Sequence, residues 1–321
     1  MDNSELENWI PYKLVTGNGQ VQCHWLNTFG KKFTEPFFDE TILKCKSANS
    51  RHFAFSSISD LVMMKEWGQS LNTVEPTAFI FHISRCGSTL VSQMLATSDE
   101  NIVLAEVPFF DDLLRLPYKE DRFDETAINK LLATAIRYYG RRRPGKEQRL
   151  FIKADSWHLF FYEQLRQLYP SVPFVIIYRS PDEVFRSHTK VPGMHAVPGL
   201  IEPQVFGFIT EDLEYKGPGI YLAKVLESYF RQSIKIAERD DKFLLLNYNE
   251  GPMQMIEKIA AYSNTPFSGQ DLSKMAERSL YHSKQPGERF SEEAATHVPA
   301  CLNKAMELYH TLDAKRIVVY S

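Results

Sequence analysis

Two short stretches of the chain carry residue types that could bind an anion. The first is FIFHISRCGSTLVSQML, residues 79–95, in which an apolar run is followed by a tight turn at Gly87. Ser88 and Thr89 then begin a predicted helix, and the free N–H groups and dipole of a helix start favour an anion. Arg85 adds a cation just before the turn. This stretch predicts an anion site between a strand and a helix.

The first stretch departs from the nucleotide-binding pattern G-x-x-x-x-G-K-[ST]. With Gly87 as the second glycine, His82 occupies the first glycine position and Ser88 the lysine position. Two of the four defining positions fail, which disfavours an ATP or GTP loop. A cysteine phosphatase is also excluded, because its loop needs an arginine where Ser92 stands. We interpret Cys86 as a small turn residue whose pKa is lowered by the helix start.

The second stretch is VIIYRSPDEVFRSHTK, residues 175–190. An apolar strand ends just before Arg179, and a helix follows with proline at its first position. Ser180 and Glu183 match the S-x-x-E capping box, and Ser187 lies one turn beyond Glu183 on the same helix face. An arginine at a strand end and a serine on the next helix can hold one phosphate from two directions.

These stretches belong to a regular alternation of predicted strands and helices. Short apolar runs lie at 77–83, 101–107, 149–154, 172–178 and 242–248. Helical periodicity lies between or after them at 88–97, 124–142, 157–169, 181–190, 221–239, 252–263 and 300–313. This alternation predicts an α/β domain with a P-loop-NTPase-like parallel sheet covered by helices on both faces. Ligands bind beyond the carboxyl ends of such strands, where both anion-binding stretches lie.

Two further regions flank or interrupt this pattern. Residues 1–75 are rich in aromatic side chains, and we predict helical segments and loops that pack on an α/β domain of residues 76–321. The segment 191–219 contains four prolines and five glycines. A connection of that length is usually a functional lid or a flexible loop.

Composition excludes several classes of protein. The formal net charge of −3 argues against a general nucleic-acid binder. No apolar run approaches the ~20 residues that span a membrane, and the acidic N-terminus lacks the apolar core of a secretory signal. The four cysteines lie far apart, with neither a zinc-binding spacing nor a disulfide framework. We therefore expect a cytoplasmic protein with no nucleic-acid or membrane partner.

Taken together, RCGST (85–89) and RSPDEVFRS (179–187) resemble the cofactor-binding signature of the sulfotransferases that use 3′-phosphoadenosine 5′-phosphosulfate (PAPS). The resemblance covers residues 77–250 and implies the sulfotransferase fold. It implies that the phosphosulfate is held by the loop residues Arg85, Cys86, Gly87, Ser88, Thr89 and Leu90. It implies that Arg179 and Ser187 hold the 3′-phosphate. A looser similarity in residues 281–290 adds Ser283 and Lys284 as phosphate contacts.

Within the family, the chain looks closest to the tyrosylprotein sulfotransferases and their bacterial relatives. Those enzymes are similar in having a loop arginine, an acidic residue after the next strand and a lysine that ends a later strand. The matching residues here are Arg85, Glu106 and Lys153. The resemblance implies that Glu106 is the general base and that Arg85 and Lys153 stabilise the sulfonate oxygens. His158 and His188 remain alternative bases, since other branches use histidine.

The implied reaction moves a sulfuryl group from PAPS to an acceptor hydroxyl by in-line displacement and leaves 3′,5′-ADP (PAP). The acceptor is a small molecule or peptide, with phenols and tyrosine among the candidates, and no metal is implied. One alternative is a small-molecule kinase of similar topology, which would need a loop lysine and a carboxylate for Mg²⁺. Another is a non-catalytic PAP-binding protein.

Overall fold

The computed structural model describes residues 7–17, 19–52, 56–143, 145–209, 217–281 and 298–319. The strands are β1 (Trp9–Gly17), β2 (Gln20–Asn27), β3 (Ser57–Asp60), β4 (Pro76–His82), β5 (Asn101–Ala105), β6 (Arg149–Lys153), β7 (Phe174–Tyr178) and β8 (Phe243–Asn247). The helices are α1 (Phe38–His52), α2 (Leu61–Gly68), α3 (Ser88–Leu95), α4 (Pro108–Leu114), α5 (Glu125–Tyr139), α6 (Tyr162–Leu168), α7 (Pro181–Lys190), α8 (Pro218–Ala237), α9 (Pro252–Tyr262), α10 (Gly269–Ser279) and α11 (Asn303–Val319).

Strands β4 to β8 form one parallel sheet in the order β5-β6-β4-β7-β8. Every residue of β5, β7 and β8 is buried, as the continuous apolar runs predict for strands covered on both faces. The predicted α/β class with its parallel sheet and flanking helices is confirmed. The connection from β4 runs to one side of the sheet and the connection from β7 to the other. A crevice at such a reversal is where ligands bind in open parallel sheets.

Aromatic side chains of the central strands form the middle of the core. The ring of Phe174 lies 5.1 Å from that of Phe79 and 5.3 Å from that of Phe81. All three side chains are almost fully buried. Helix α3 packs on β5 and β6, and α8 packs on β8. This packing fixes the strand ends, and therefore the turns that follow them, relative to one another.

The N-terminal region differs from the prediction of helices and loops. It contains α1 and α2, but β1, β2 and β3 form a separate antiparallel sheet that packs on α4 and α5. The strands β1 and β2 pair up to Gly17 and Gln20, on either side of an Asn-Gly dipeptide. That dipeptide is a strong hairpin signal, but Pro11, at a register shift, interrupts the alternation of β1. The domain boundary at 75/76 stays a prediction.

Within the described ranges, no helix combines the length and the apolar character needed to cross a membrane.

Candidate functional site

A cavity of about 1170 Å³ opens at the carboxyl edge of the parallel sheet. The turn after each of the five strands contributes to its wall. The contributing residues include Glu106 after β5, Asp155 after β6, Arg85 after β4, Arg179 after β7 and Tyr248 after β8. The structure therefore brings the two anion-binding stretches of the sequence to one cavity.

The turn after β4 has the backbone geometry of an anion-binding loop. Gly87 adopts φ +80°, and Ser84 and Arg85 also lie in the left-handed region, with φ +70° and +52°. Non-glycine residues rarely adopt this conformation, and they hold it at functional turns. Gly87 is the N-cap of α3 and has no side chain, so the cap residue itself offers no acceptor to the N–H groups of the first turn. Ser88 and Thr89 begin α3 and line the cavity, as does Leu90.

Arg85 connects this turn to the segment that follows α7. Its side chain lines the cavity, and Nη2 donates a hydrogen bond of 2.7 Å to the backbone oxygen of Val191. Val191 begins the Pro- and Gly-rich segment 191–219, of which 191–209 and 217–219 are described. Arg85 is thus held at the cavity by the segment predicted to be a lid or loop.

Cys86 lies behind the loop and is fully buried. Its Sγ donates to the backbone oxygen of Ile177, 3.1 Å away. Burial raises the pKa of the Cys86 thiol to about 11, so the predicted lowering of its pKa is wrong. Burial outweighs the effect of the helix start, including the hydrogen bond with the backbone of Ser88 that lowers the pKa. A thiol that stays protonated is not a nucleophile, which agrees with the exclusion of a cysteine phosphatase.

Glu106 is the acidic residue of a buried charged cluster with Lys153 and His82. Its backbone has φ +57°, and its N–H donates to the backbone oxygen of Lys153 at 2.8 Å. Its Oε1 contacts Lys153 Nζ and lies 3.1 Å from His82 Nε2. Burial alone would raise the pKa of Glu106, but the charge of Lys153 and the contact with His82 hold it well below its usual range. Glu106 is therefore ionised at neutral pH.

Lys153 lies behind the residues that line the cavity. Its side chain is 0% exposed, and besides Glu106 it lies 3.4 Å from Thr89 Oγ1. Its Nζ is also 5.4 Å from the centre of the Phe37 ring. Lys153 thus links Glu106 to the start of α3, and its contact with a sulfonate oxygen stays a prediction.

Arg179 and Ser187 both line the cavity. The side-chain contacts at the start of α7 differ from the predicted capping box. Arg179 Nε donates to Glu183 Oε2 at 2.8 Å, and its guanidinium lies 4.3 Å from the centre of the Tyr248 ring. Ser180 is the N-cap of α7, but its hydroxyl donates to Asp182. The capping box is wrong because Arg179 draws the Glu183 carboxylate away from the helix start. The helix bounds of 181–190 are confirmed.

The two alternative base candidates have different positions. His158 is buried, and its Nε2 lies 3.2 Å from Asp111 Oδ1. His188 is buried on α7, and its ring centre is 4.7 Å from that of His195. Neither of the two candidate histidines is among the residues found to line the described cavity wall, whereas His195 is.

His195 is a functional candidate that the sequence does not predict. Its Nδ1 lies 3.4 Å from Ser156 Oγ, which in turn accepts a hydrogen bond of 3.0 Å from the Tyr229 hydroxyl. Its buried Nε2 has no hydrogen-bond partner in the described part of the chain. Burial, then the neighbouring His188, lowers the pKa of His195 well below its usual value, so the ring is neutral. The available signal was that His195 is the one histidine of the segment 191–219.

Several carboxyl groups lie close together near the ends of β5 and β6. Among the described residues, one group of side chains could hold a metal ion, with ligand atoms within 4.8 Å of one another: Asp111, Asp155 and His158. Asp111 Oδ1 also accepts a hydrogen bond of 2.5 Å from Trp157 Nε1. Burial, together with the charges of Glu106 and Asp111, raises the pKa of Asp155 well above its usual range. The surroundings of Asp155 therefore favour the protonated, uncharged form of its carboxyl group.

Asp155→Asn should stabilise the protein, and more at pH 7 than at about pH 4. A raised folded-state pKa means that wild-type stability is lost as pH rises above the unfolded-state pKa. Asparagine does not ionise, so the difference in unfolding free energy should grow with pH. Urea denaturation at the two pH values measures it. A difference that is constant with pH would contradict the raised pKa of Asp155.

Gly87→Ala should weaken both stability and anion binding. Alanine at φ +80° costs about 1 kcal/mol, and its Cβ would lie 2.9 Å from Tyr248 Cδ2. Gly145→Ala is the matched control, because φ is +84° there and nothing lies within 4 Å of the new Cβ. Denaturation and PAP titration should separate the variants. Equal PAP affinity in both would show that the Gly87–Tyr248 approach has no part in binding.

The predicted contacts Ser283 and Lys284 lie outside the described residues. The described chain before them ends with Ser279, Leu280 and Tyr281, all of which line the cavity.

Comparisons with known proteins found similarity at the level of solved structures. Neither a family model nor a curated protein matches the chain. A sulfotransferase from Mycobacterium avium is similar with a TM-score of 0.47 and 15% identity over 80% of this chain and 79% of that one. The sulfotransferase domain of the Synechococcus olefin synthase gives 0.45 and 14% identity, over 77% of this chain and 97% of that one. A sulfotransferase from Alicyclobacillus acidocaldarius gives 0.43 and 14% identity, over 77% and 96%. Because these TM-scores lie below 0.5, we base the proposed function on the residues of the cavity.

Proposed function

We propose that this protein transfers a sulfuryl group from PAPS to an acceptor hydroxyl. One observation carries the proposal: two separate anion-binding features and an ionised carboxylate line the same cavity. The loop with Arg85 and the start of α3 form the first feature, and Arg179 with Ser187 forms the second. A donor with phosphate groups at two positions on one nucleoside requires two such features.

The hydrogen-bond donors that line the cavity match the anionic groups of PAPS. The N–H groups and hydroxyls of Ser88 and Thr89, with Arg85, would hold the phosphosulfate. Arg179 and Ser187 would hold the 3′-phosphate, the group that distinguishes PAPS from ATP. Glu183 already fixes the guanidinium of Arg179 on one side. That bond costs little when a phosphate binds, because a guanidinium has five N–H donors to share.

PAPS supplies a sulfuryl group attached to a good leaving phosphate. A bond forms between the acceptor oxygen and sulfur while the bond from sulfur to the phosphate oxygen breaks, and the acceptor proton passes to the Glu106 carboxylate. Arg85 and the first turn of α3 stabilise the charge that develops on the leaving oxygen. The residues supply position and charge, with no covalent intermediate on the protein.

The pair of Glu106 and Lys153 sets the strength of this base. While the pair is intact, Lys153 holds the pKa of Glu106 low, and Glu106 is a weak base. An anion bound beside Thr89 would share the charge of Lys153, whose Nζ is 3.4 Å from the Thr89 hydroxyl. The pKa of Glu106 would then rise toward the range that proton transfer needs.

Thermal shift with PAP, AMP and ATP-Mg²⁺ tests the nucleotide. PAP should stabilise the protein and AMP should do so much less, because Arg179 and Ser187 have no 3′-phosphate to bind in AMP. Arg179→Ala should reduce the affinity for PAP about tenfold or more, to that for AMP. Arg51→Ala is the control, since Arg51 is an exposed residue of α1. Stabilisation by ATP-Mg²⁺ alone would instead favour the kinase.

A further inference from the structure

Acidic and basic side chains lie at different parts of the carboxyl edge of the sheet. The order of the strands separates them. Glu106 follows β5 and Asp155 follows β6, while Arg85 follows β4 and Arg179 follows β7. Neighbouring strands lie about 4.8 Å apart, so the ends of β5 and β7 are separated by about 14 Å. The side of the cavity at β5 and β6 is acidic and the side at β4 and β7 is basic. The acidic side of the cavity is formed by Asp39, Glu106, Asp111, Asp112 and Asp155.

The Asp155 carboxyl group lies at the cavity wall without a hydrogen-bond donor from the described residues. The residue is 8% exposed and lines the cavity. In the described part of the chain no group donates a hydrogen bond to its carboxyl group. His158 Nε2 is 3.7 Å away and lies closer, at 3.2 Å, to Asp111 Oδ1. The side chain of Asp155 is 12% exposed and faces the cavity, so a ligand with a donor can reach the carboxyl group and form a hydrogen bond in a largely buried setting.

The cations near the acidic side are already paired with two of its own carboxylates. Arg115 pairs with Asp111 at 2.8 Å and with Glu202 at 2.5 Å. Lys153 pairs with Glu106. The carboxyl groups of Asp39, Asp112 and Asp155 also line this wall, and no Lys or Arg among the described residues pairs with them.

Aromatic rings complete the same side of the cavity. Phe37 and Trp157 both line it. The indole N–H of Trp157 donates to Asp111, which fixes the ring in place. Aromatic faces beside carboxylates attract organic cations through both the ring quadrupole and the charge.

We propose that the acidic side of the cavity binds an acceptor that carries a protonated amine in addition to its hydroxyl. The inference rests on the proposed sulfuryl transfer and names the acceptor class for it. The amine lies against Asp155 and its neighbours, and the hydroxyl reaches Glu106, whose side chain extends to His82 at the end of β4. An organic cation fits better than a metal ion, because both oxygens of Asp111 already accept hydrogen bonds, Oδ1 from Trp157 and Oδ2 from Arg115.

Two series of probes that differ only in charge test this assignment. The phenol series is tyramine, 4-propylphenol and 4-hydroxyphenylacetate, and the alkyl series is 5-amino-1-pentanol, 1-hexanol and 6-hydroxyhexanoate. Calorimetric titrations are made with and without saturating PAP. The cationic member should bind about tenfold or more tightly than the neutral one in at least one series. Equal or weaker binding of the cation in both series, or no binding of any probe, overturns the proposal.

Asp155→Asn should reduce that preference, because the asparagine amide cannot form an ion pair with the amine, and leave the affinity for the neutral probe unchanged. Since this variant is expected to be more stable than the wild type, its loss of amine binding cannot arise from unfolding. Asp121→Asn, at an exposed residue, should bind the amine as the wild type does. Binding that EDTA abolishes and added Zn²⁺ or Mn²⁺ restores would assign the site to a metal and overturn the proposal.

The PAP titration separates this inference from the proposed function. Failure of PAP to bind, with amine preference retained, counts against PAPS as donor. Normal PAP binding without a preference for the amine would contradict the proposed acceptor class but not the proposed donor.

Discussion

Glu106→Gln is expected to lower turnover by about 10²- to 10⁴-fold while PAP still binds. Glutamine keeps the shape of the side chain but cannot accept the acceptor proton. Transfer of labelled sulfate from PAPS measures turnover, and titration with PAP measures the donor site separately. The charge of Lys153 stays near the loop in this variant, so PAP affinity should be equal to or higher than that of the wild type.

The matched control for this variant is Glu163→Gln, at an exposed position of α6. Turnover of Glu106→Gln close to that of the control would exclude Glu106 as the base and direct attention to His195. His195→Gln is then the variant to assay, because His195 lines the cavity and its buried Nε2 has no hydrogen-bond partner among the described residues. Absence of transfer in the wild type, with PAP bound, would favour the non-catalytic alternative.

Lys153→Met is expected to destabilise the protein by about 3 kcal/mol at neutral pH, because it leaves the Glu106 carboxylate without its counter-charge. The depressed pKa of Glu106 contributes stability above its unfolded-state pKa, and this contribution is lost as pH falls. The deficit of the variant should therefore shrink below about pH 4. Turnover should also fall, since Lys153 connects Glu106 to the start of α3.

Urea denaturation at neutral and acid pH measures the deficit, and Lys119→Met at an exposed residue is the control. The double variant Glu106→Gln/Lys153→Met completes a double-mutant cycle. We expect it to be more stable than Lys153→Met, since no buried charge is left unpaired. Additive effects of the two substitutions would show that the pair is not coupled.

The parts of the fold that the sequence predicts are those set by local patterns. The buried strands of the parallel sheet are continuous apolar runs, and their observed bounds lie within two residues of the predicted ones. The meeting of Arg85 and Arg179 at one cavity follows from a general property of parallel sheets, whose carboxyl ends share an edge.

The parts that the sequence does not predict depend on contacts between distant residues. His82 was considered only as a residue that breaks a nucleotide-binding pattern, and it is the neighbour of Glu106 in space. The spacing of Glu183 fits a capping box, but its carboxylate accepts a hydrogen bond from Arg179 instead of from the helix start. His195 has no motif around it, and its place on the wall is fixed by packing against His188 and Tyr229.

In the proposed reaction, the hydrogen bond from Arg85 to the backbone of Val191 would couple the binding of donor and acceptor. A donor phosphate that draws Arg85 away breaks the bond that holds the beginning of the segment containing His195. An acceptor that contacts this segment changes the free energy of breaking that bond. By thermodynamic reciprocity, the factor by which the donor changes acceptor affinity equals the factor by which the acceptor changes donor affinity. The affinities for the two substrates would then be coupled through one guanidinium.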